Sequence, residues 1–161
     1  RRSSDLELFV KYKPPQDYID ADISDLEKMI FSTGFYRNKA KNIKNCCSVL
    51  LEKYKGTVPA DVDKIAELPG AGRKTASVVA GNAFNIPAIA VDTHVMRITN
   101  LLGLVNSKNP EIIERELKLI FPEKYWVQST HLFIALGREI CIARRPKCEV
   151  CPLKSICPSS L

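Results

Sequence analysis

The chain has 161 residues, a length that suits one domain or two small lobes packed together. Its 45% hydrophobic and 26% charged residues exclude a wholly disordered or collagen-like chain, and no apolar run approaches the ~20 residues that span a bilayer. With 24 Lys and Arg against 18 acidic residues the net charge is +6, which permits a polyanionic partner without demanding one.

The opening stretch RRSSDLELFV lacks the apolar segment of a secretory signal. Ser24-Asp25-Leu26-Glu27 has the spacing of a capping box, and Leu26, Met29 and Ile30 supply an apolar face, so a short helix is predicted before Gly34. From about Tyr36 to Tyr54 a longer helix places Ile43, Leu50, Leu51 and Tyr54 on one stripe, with Gly56 as its terminator. Cys46 and Cys47 lie on that helix and read as buried small hydrophobes. A third helix starts near Asp61, presents Val62, Ile65 and Leu68, and is cut by Pro69 and Gly70.

A fourth begins at once at Arg73 and runs to about Phe84. Ala88-Ile89-Ala90-Val91 is a short apolar connection, too short to be read as a strand. The next helix opens at Asp92-Thr93 and ends near Gly103. Asn109-Pro110-Glu111 starts another that reaches about Ile120, with Pro where its missing N–H does no harm. A last long helix spans about Lys124 to Ile140. With only 7 Gly and punctuation at helical intervals, the fold class is predicted to be all-α.

Leu68-Pro69-Gly70-Ala71-Gly72-Arg73-Lys74-Thr75 is a tight Gly turn between two helices. It frees the first N–H groups of the second helix to point outward, an anion site suited to a DNA phosphate formed around Leu68, Gly70, Gly72, Arg73 and Thr75. A plain αα-hairpin would use the same turn. Arg73 and Lys74 tip the balance, because the helix macrodipole disfavours positive charge in a first turn by roughly 0.3–1 kcal/mol each. A purely structural helix gains nothing from that choice. The same field favours the neutral form of an amine, the form that attacks carbon, and Lys74 is therefore a candidate nucleophile.

Ala90-Val91-Asp92-Thr93-His94 carries an acid at the mouth of a helix. The preceding helix is about 18 Å long and residues 85–92 can span about 26 Å, so Asp92 can return beside Lys74. Asp is also a favoured N-cap, which needs no chemistry at all. His94 and His131, the two histidines, have no ligand spacing and read as packing or hydrogen-bonding residues.

Cys141-x6-Cys148-x2-Cys151-x5-Cys157 places four thiols within 17 residues. Clustering of this kind points to a metal and a reducing compartment rather than to disulfides. Four thiolates suit either a [4Fe–4S] cluster or one tetrahedral zinc, and spacing favours iron–sulfur only slightly. Between the first two lies a basic loop whose Arg144, Arg145 and Lys147 suit phosphate contacts.

LPGAGRKTASVV, AIAVDTHVMR and LGREICIARRPKCEVCPLKSIC together resemble the endonuclease III family of DNA glycosylases, and the resemblance runs from about Asp25 to Cys157. It implies a two-lobed helix-hairpin-helix fold, with residues 1–103 as a helical lobe holding the hairpin at about 61–84, and residues 104–161 as a lobe holding a [4Fe–4S] cluster. It further implies that Lys74 is the nucleophile and Asp92 the essential acid. A damaged nucleotide of duplex DNA would be flipped out, its oxidised pyrimidine expelled through a Lys Schiff base, and the strand cut 3′ to the lesion. A monomer is expected, without a membrane partner, in a prokaryotic cytoplasm at the nucleoid or in a eukaryotic nucleus or mitochondrion.

Family members usually begin with further helices, including a segment near Leu-Leu-Ser-Ala-Gln whose Gln enters the space left by the flipped nucleotide. These 161 residues contain no such segment, so the sequence reads as a truncated or shortened member with apolar surface exposed. Two other readings share its features: a DNA-binding module without catalysis, and a zinc-stabilised helical interaction domain.

Overall fold

A computed structural model describes residues 2–160, with nothing drawn from the side chains of residues 2–6. Among the described residues all regular structure is helical, and the chain divides into two compact units, Arg1–Gly72 and Arg73–Leu161.

The first unit holds α1 (Arg2–Lys11), α2 (Pro15–Asp20), α3 (Ile23–Met29), α4 (Tyr36–Tyr54) and α5 (Val62–Ala66). Both α2 and α3 pack on α4. Leu8, Tyr12, Tyr18, Leu26, Ile30 and Ala40 form the core, and the Tyr18 hydroxyl donates to the Tyr12 carbonyl at 3.1 Å, so a buried phenol is satisfied where the chain turns at Pro14-Pro15. Helices α1 and α2 are not anticipated above. The mixed polar sequence of α1 gives a weak periodic signal, and α2 is a single turn and a half whose only strong marker is Pro15 in its first position.

The cap of α3 also differs from expectation. Asp22, not Ser24, stands at the N-cap and accepts from the Ser24 amide at 2.7 Å, because the helix begins two residues earlier than the capping-box spacing suggests. Helix α4 has the predicted bounds and ends at Lys55 and Gly56, where the Gly56 amide reaches the Leu50 carbonyl at 2.9 Å. Cys46 and Cys47 correct a further expectation, being half-buried rather than buried. Burial still pushes both thiols up, Cys47 to about 11, so neither has the thiolate character that makes a cysteine reactive.

Gly70 closes the turn after α5 with φ at +79°, and a β-carbon there would meet the Asn42 β-carbon at 2.9 Å. Gly72 shows neither feature: no atom lies within 4 Å of its would-be β-carbon and its φ is outside the left-handed region. Gly70→Ala should therefore cost about 1–3 kcal/mol and lower the melting temperature, whereas Gly72→Ala should leave it nearly unchanged. Thermal unfolding of the two variants side by side checks this.

The second unit holds α6 (Arg73–Ala83), α7 (Thr93–Leu101), α8 (Pro110–Ile120) and α9 (Trp126–Glu139). Helix α9 begins two residues later than expected, because Glu123–Tyr125 form a 3-10 turn on Pro122. The segment 88–91 is a buried connection without regular secondary structure. It joins Val95, Ile98, Val105, Ile113, Leu117 and Phe133 in or beside the core, and fully burying side chains of this kind contributes about 1.5–3 kcal/mol each. Both α6 and α7 pack on α9, and α6 buries the small residues Ala76, Ser77, Ala80 and Gly81, with Gly81 against Val127 of α9.

Candidate functional site

The first turn of α6 follows the Gly turn directly and contains no acidic residue. Its positive macrodipole end therefore keeps its attraction for an anion. Lys74 and Thr75 are exposed there. Leu68 is 5% exposed and belongs to the interior, in keeping with the apolar face predicted for it with Val62 and Ile65. Its carbonyl accepts from the Ala71 amide at 3.0 Å, which closes the turn through the Leu68 backbone.

Arg73 corrects the argument from helix charge. Its Nε donates to Glu114 Oε2 and its Nη2 to Glu114 Oε1, each at 3.2 Å, a two-pronged pairing across from α8. The cation at the helix start thus has a structural counter-charge that the local sequence could not disclose. Lys118 joins the same carboxylate, Nζ to Oε1 at 2.6 Å. Arg73, Glu111, Glu114, Arg115, Lys118 and Leu119 surround an open cavity of about 490 Å³.

Burial of Glu114 pushes its carboxyl up, but hydrogen bonds and charge from Arg73 and Lys118 more than offset this, leaving it below the ordinary carboxylate value. Because the folded value lies below the unfolded one, Glu114 stabilises the fold above about pH 4.5 and loses that contribution as pH falls through its folded value. A Glu114→Gln variant should accordingly show a flatter acid limb in a stability-against-pH profile than the wild type.

Asp92 stands at the N-cap of α7, half-buried, and its Oδ1 accepts from the His94 and Val95 amides at 2.8 Å each. Among the described residues Oδ2 accepts no hydrogen bond, so one oxygen anchors the helix while the other remains available. Both Lys74 and Asp92 thus sit at N-termini of helices that share α9 as a support. Of the two histidines, His94 follows this cap, and His131 Nε2 pairs with Asn82 Oδ1 at 3.2 Å, joining α9 to α6.

Beyond α9 the chain folds back through the Cys141 amide to the Leu136 carbonyl at 2.7 Å and the Lys147 amide to the Ile140 carbonyl at 3.0 Å. These bonds define the loop that exposes Arg144, Arg145 and Lys147. All four cysteines of the C-terminal run line one cavity of about 350 Å³, and all are free thiols. Among the described residues no three His, Cys, Asp or Glu side chains converge closely enough for a single metal ion. Four thiols on one cavity are the donor set of a [4Fe–4S] cluster. Arg97 donates through Nη1 to Cys141 Sγ at 3.6 Å and through Nη2 to the Gly137 carbonyl at 3.2 Å, supplying the positive hydrogen-bond partner that a cluster-bound thiolate requires.

Glu114 and Arg97 are absent from the residues singled out by sequence. Glu114 had one signal: it shares the buried face of α8 with Ile113 and Leu117, and a carboxylate on an apolar stripe is there for a partner.

Comparison with known proteins agrees with this geometry. Residues 6–123 match the HhH-GPD superfamily of base excision DNA repair proteins, and residues 141–157 match the iron-sulfur binding domain of endonuclease III. Endonuclease III of Bacillus subtilis is 46% identical over 151 residues, covering 93% of this chain and 69% of that protein. Its Escherichia coli K12 counterpart is 38% identical over 150 residues, covering 93% and 71%. A trapped endonuclease III–DNA covalent intermediate superposes with a TM-score of 0.94 at 44% identity, over 98% of this chain and 75% of that one. A thermostable thymine-DNA glycosylase superposes with a TM-score of 0.85 at 27% identity, over the same shares. The match begins well ahead of Asp25, so α1 and α2 are part of the shared fold and not a stretch outside it. Matched over most of its length, with the helical fold and the four-cysteine cavity in place, this chain belongs to the endonuclease III family of the HhH-GPD superfamily.

Proposed function

We propose that this base-excision DNA glycosylase and AP lyase uses Lys74 as its nucleophile and Asp92 as its acid, and that its substrate is an oxidised, ring-saturated or fragmented pyrimidine in duplex DNA. The observation that supports this best is the first turn of α6: an exposed Lys74 beside an anion-attracting helix end, in a chain closely similar in shape to a trapped covalent DNA intermediate.

The chemistry follows from those positions. The target nucleotide must leave the stack, since C1′ cannot be approached inside it. Lys74 Nζ then attacks C1′, the bond from C1′ to the base breaks, and the base departs with a proton. Asp92 Oδ2 stabilises the positive charge that develops on the sugar and helps carry protons. Loss of a proton from Nζ and opening of the C1′–O4′ bond, with a proton taken up by O4′, give the Schiff base, which acidifies C2′; loss of the C2′ proton and cleavage of the C3′–O bond complete β-elimination.

DNA phosphate is held by the free N–H groups around Gly70, Gly72 and Thr75 and by Arg144, Arg145 and Lys147. Gly72 supports this reading, because the fold itself makes no demand for glycine there while a closely approaching phosphate does. Cys141, Cys148, Cys151 and Cys157 hold the [4Fe–4S] cluster, whose contribution is structural: it fixes the basic loop. As working lobes of the enzyme we take residues 1–103, carrying Lys74 and Asp92, and residues 104–161, carrying the cluster. The protein acts as a monomer without a membrane partner, and its bacterial relatives argue for action on the chromosome in a reducing cytoplasm.

Incubation with a duplex carrying one thymine glycol, followed by borohydride, tests the proposal. A covalent protein–DNA adduct is expected. Its absence, with trapping restored on a preformed abasic site, would remove the lesion assignment; silence on both would remove the chemistry.

A further inference from the structure

Both helices that carry the reacting groups rest on α9, and each does so at a glycine. Gly81 of α6 and Gly137 of α9 are buried inside their helices, and neither has a positive φ. Backbone conformation therefore makes no demand for glycine at either place, and glycine weakens a helix interior relative to alanine. The demand comes from space. A β-carbon on Gly81 would meet Val127 Cγ2 of α9 at 2.8 Å, and one on Gly137 would meet His94 Nδ1 of α7 at 2.9 Å and its Cβ at 3.2 Å.

We propose that Gly81 is a positioning residue for the nucleophile: its missing side chain lets α6 settle on Val127 at the depth from which Lys74 meets the acid carried by α7. This rests on Lys74 being the nucleophile and Asp92 the acid.

Three physical points carry the seat. First, Val127 cannot step aside. It is the second residue of α9, and a β-branched side chain in a helix keeps essentially one χ1 rotamer. A methyl group at position 81 is therefore relieved by moving α6 away from α9, since the side chains at a contact set the distance between helix axes. Carbon atoms rest about 3.5–4.0 Å apart, so relief of the 2.8 Å contact needs a displacement on the order of 1 Å.

Second, that displacement reaches the nucleophile. Lys74 lies about two turns before Gly81 on the same helix. Ser77, on the buried face between them, has no hydrogen-bond partner for its hydroxyl, so shape and not polar bonding sets this face. Third, the acid stays behind. Helix α7 has its own close approach to α9, through His94 and Gly137, and Asp92 caps α7. Lifting α6 alone changes the relation of Lys74 to Asp92.

Single-turnover borohydride trapping at saturating protein, on a duplex with a preformed abasic site, tests the seat. The proteins are wild type, Gly81→Ala, the Gly81→Ala/Val127→Ala pair and Ile113→Val, each assayed well below its melting temperature. Gly81→Ala should trap up to about 100-fold more slowly, the scale expected for misplacing a reacting group by about 1 Å. Its half-saturating concentration should stay near the wild-type value, because no phosphate contact is removed. Alanine at position 127 lacks both γ-carbons, so the pair should recover the wild-type rate. Ile113, fully buried on α8, is the control for stability alone: Ile113→Val should lower the melting temperature and leave the saturated rate unchanged.

Trapping by Gly81→Ala at the wild-type rate overturns the seat, as does an equal slowing in Ile113→Val. The pair has less side-chain volume at the joint than the wild type, so it keeps the test valid if Gly81→Ala alone fails to fold. A folded pair that traps slowly overturns the seat in either case. A wild-type protein that forms no adduct overturns the nucleophile assignment, and the seat with it.

Discussion

Lys74→Ala is expected to abolish the borohydride-trapped adduct and to reduce strand cleavage at an abasic site by more than about 10³-fold, the scale of loss when a covalent nucleophile is removed. The fold should not share in that loss. Lys74 is exposed and, among the described residues, makes no hydrogen bond or ion pair, and surface changes of that kind stay within about 0.5 kcal/mol. Removing a positive charge from a helix N-terminus should even stabilise α6 slightly. Asp92→Asn belongs beside it, because asparagine caps a helix as well as aspartate does. The bonds from the His94 and Val95 amides to Oδ1 should persist, so a fall in base release without a fall in melting temperature would assign the loss to the missing charge. Base release and trapping on thymine glycol and abasic duplexes, with melting temperature as the control, read both variants. A Lys74→Ala protein that still traps DNA at the wild-type rate would move the nucleophile elsewhere.

The parts of this fold that were legible in the sequence are those with local causes. Asn109-Pro110 starts α8 because one residue caps and the next needs no partner for a missing N–H, and the Asn109 side chain does accept from the Glu111 amide. Tyr36–Tyr54 could be bounded at both ends because its apolar stripe is long and Gly56 stops it. Helices α1 and α2 were not legible, since their stability comes from Leu8, Tyr12 and Tyr18 meeting Leu26 and Ala40 from later in the chain. At the site the division is the same. Lys74, Asp92 and the four cysteines stand out by spacing along the chain. Glu114 comes to Arg73 from 41 residues away, and Arg97 comes to Cys141 from 44 residues away. A charge that looked costly at the start of α6 was paired by an element that no local pattern connects to it.

The C-terminal loop makes the same point about tertiary dependence, and it carries the second large expected effect. Between Cys141 and Ser160 no described side chain is buried, so this run has no hydrophobic core to offset the ordering of its backbone. Fixing the 17 residues of Cys141–Cys157 costs on the order of 20 kcal/mol in conformational entropy. Two 3-10 turns, Cys148–Val150 and Lys154–Ile156, and a few backbone bonds cannot supply that. Ligation by four thiolates can, and binding free energy then becomes folding free energy.

Cys151→Ala should therefore do more than lower iron content. Residues 141–157 should lose protection from hydrogen exchange and become open to proteolysis, while α7 to α9, whose fully and nearly fully buried core residues Val95, Ile98, Ile113, Leu117 and Phe133 all lie outside the loop, should stay folded. Arg144, Arg145 and Lys147 would then cease to be a pinned set of cations. The salt slope of DNA binding should fall by up to about 0.9 for each phosphate contact they make. Iron analysis, exchange protection along 141–157 and affinity across a salt series would read the three consequences in one preparation. A variant that lost its iron yet kept both the loop's protection and the wild-type salt slope would show that protein contacts alone hold the basic loop, and the structural role assigned to the cluster would fall.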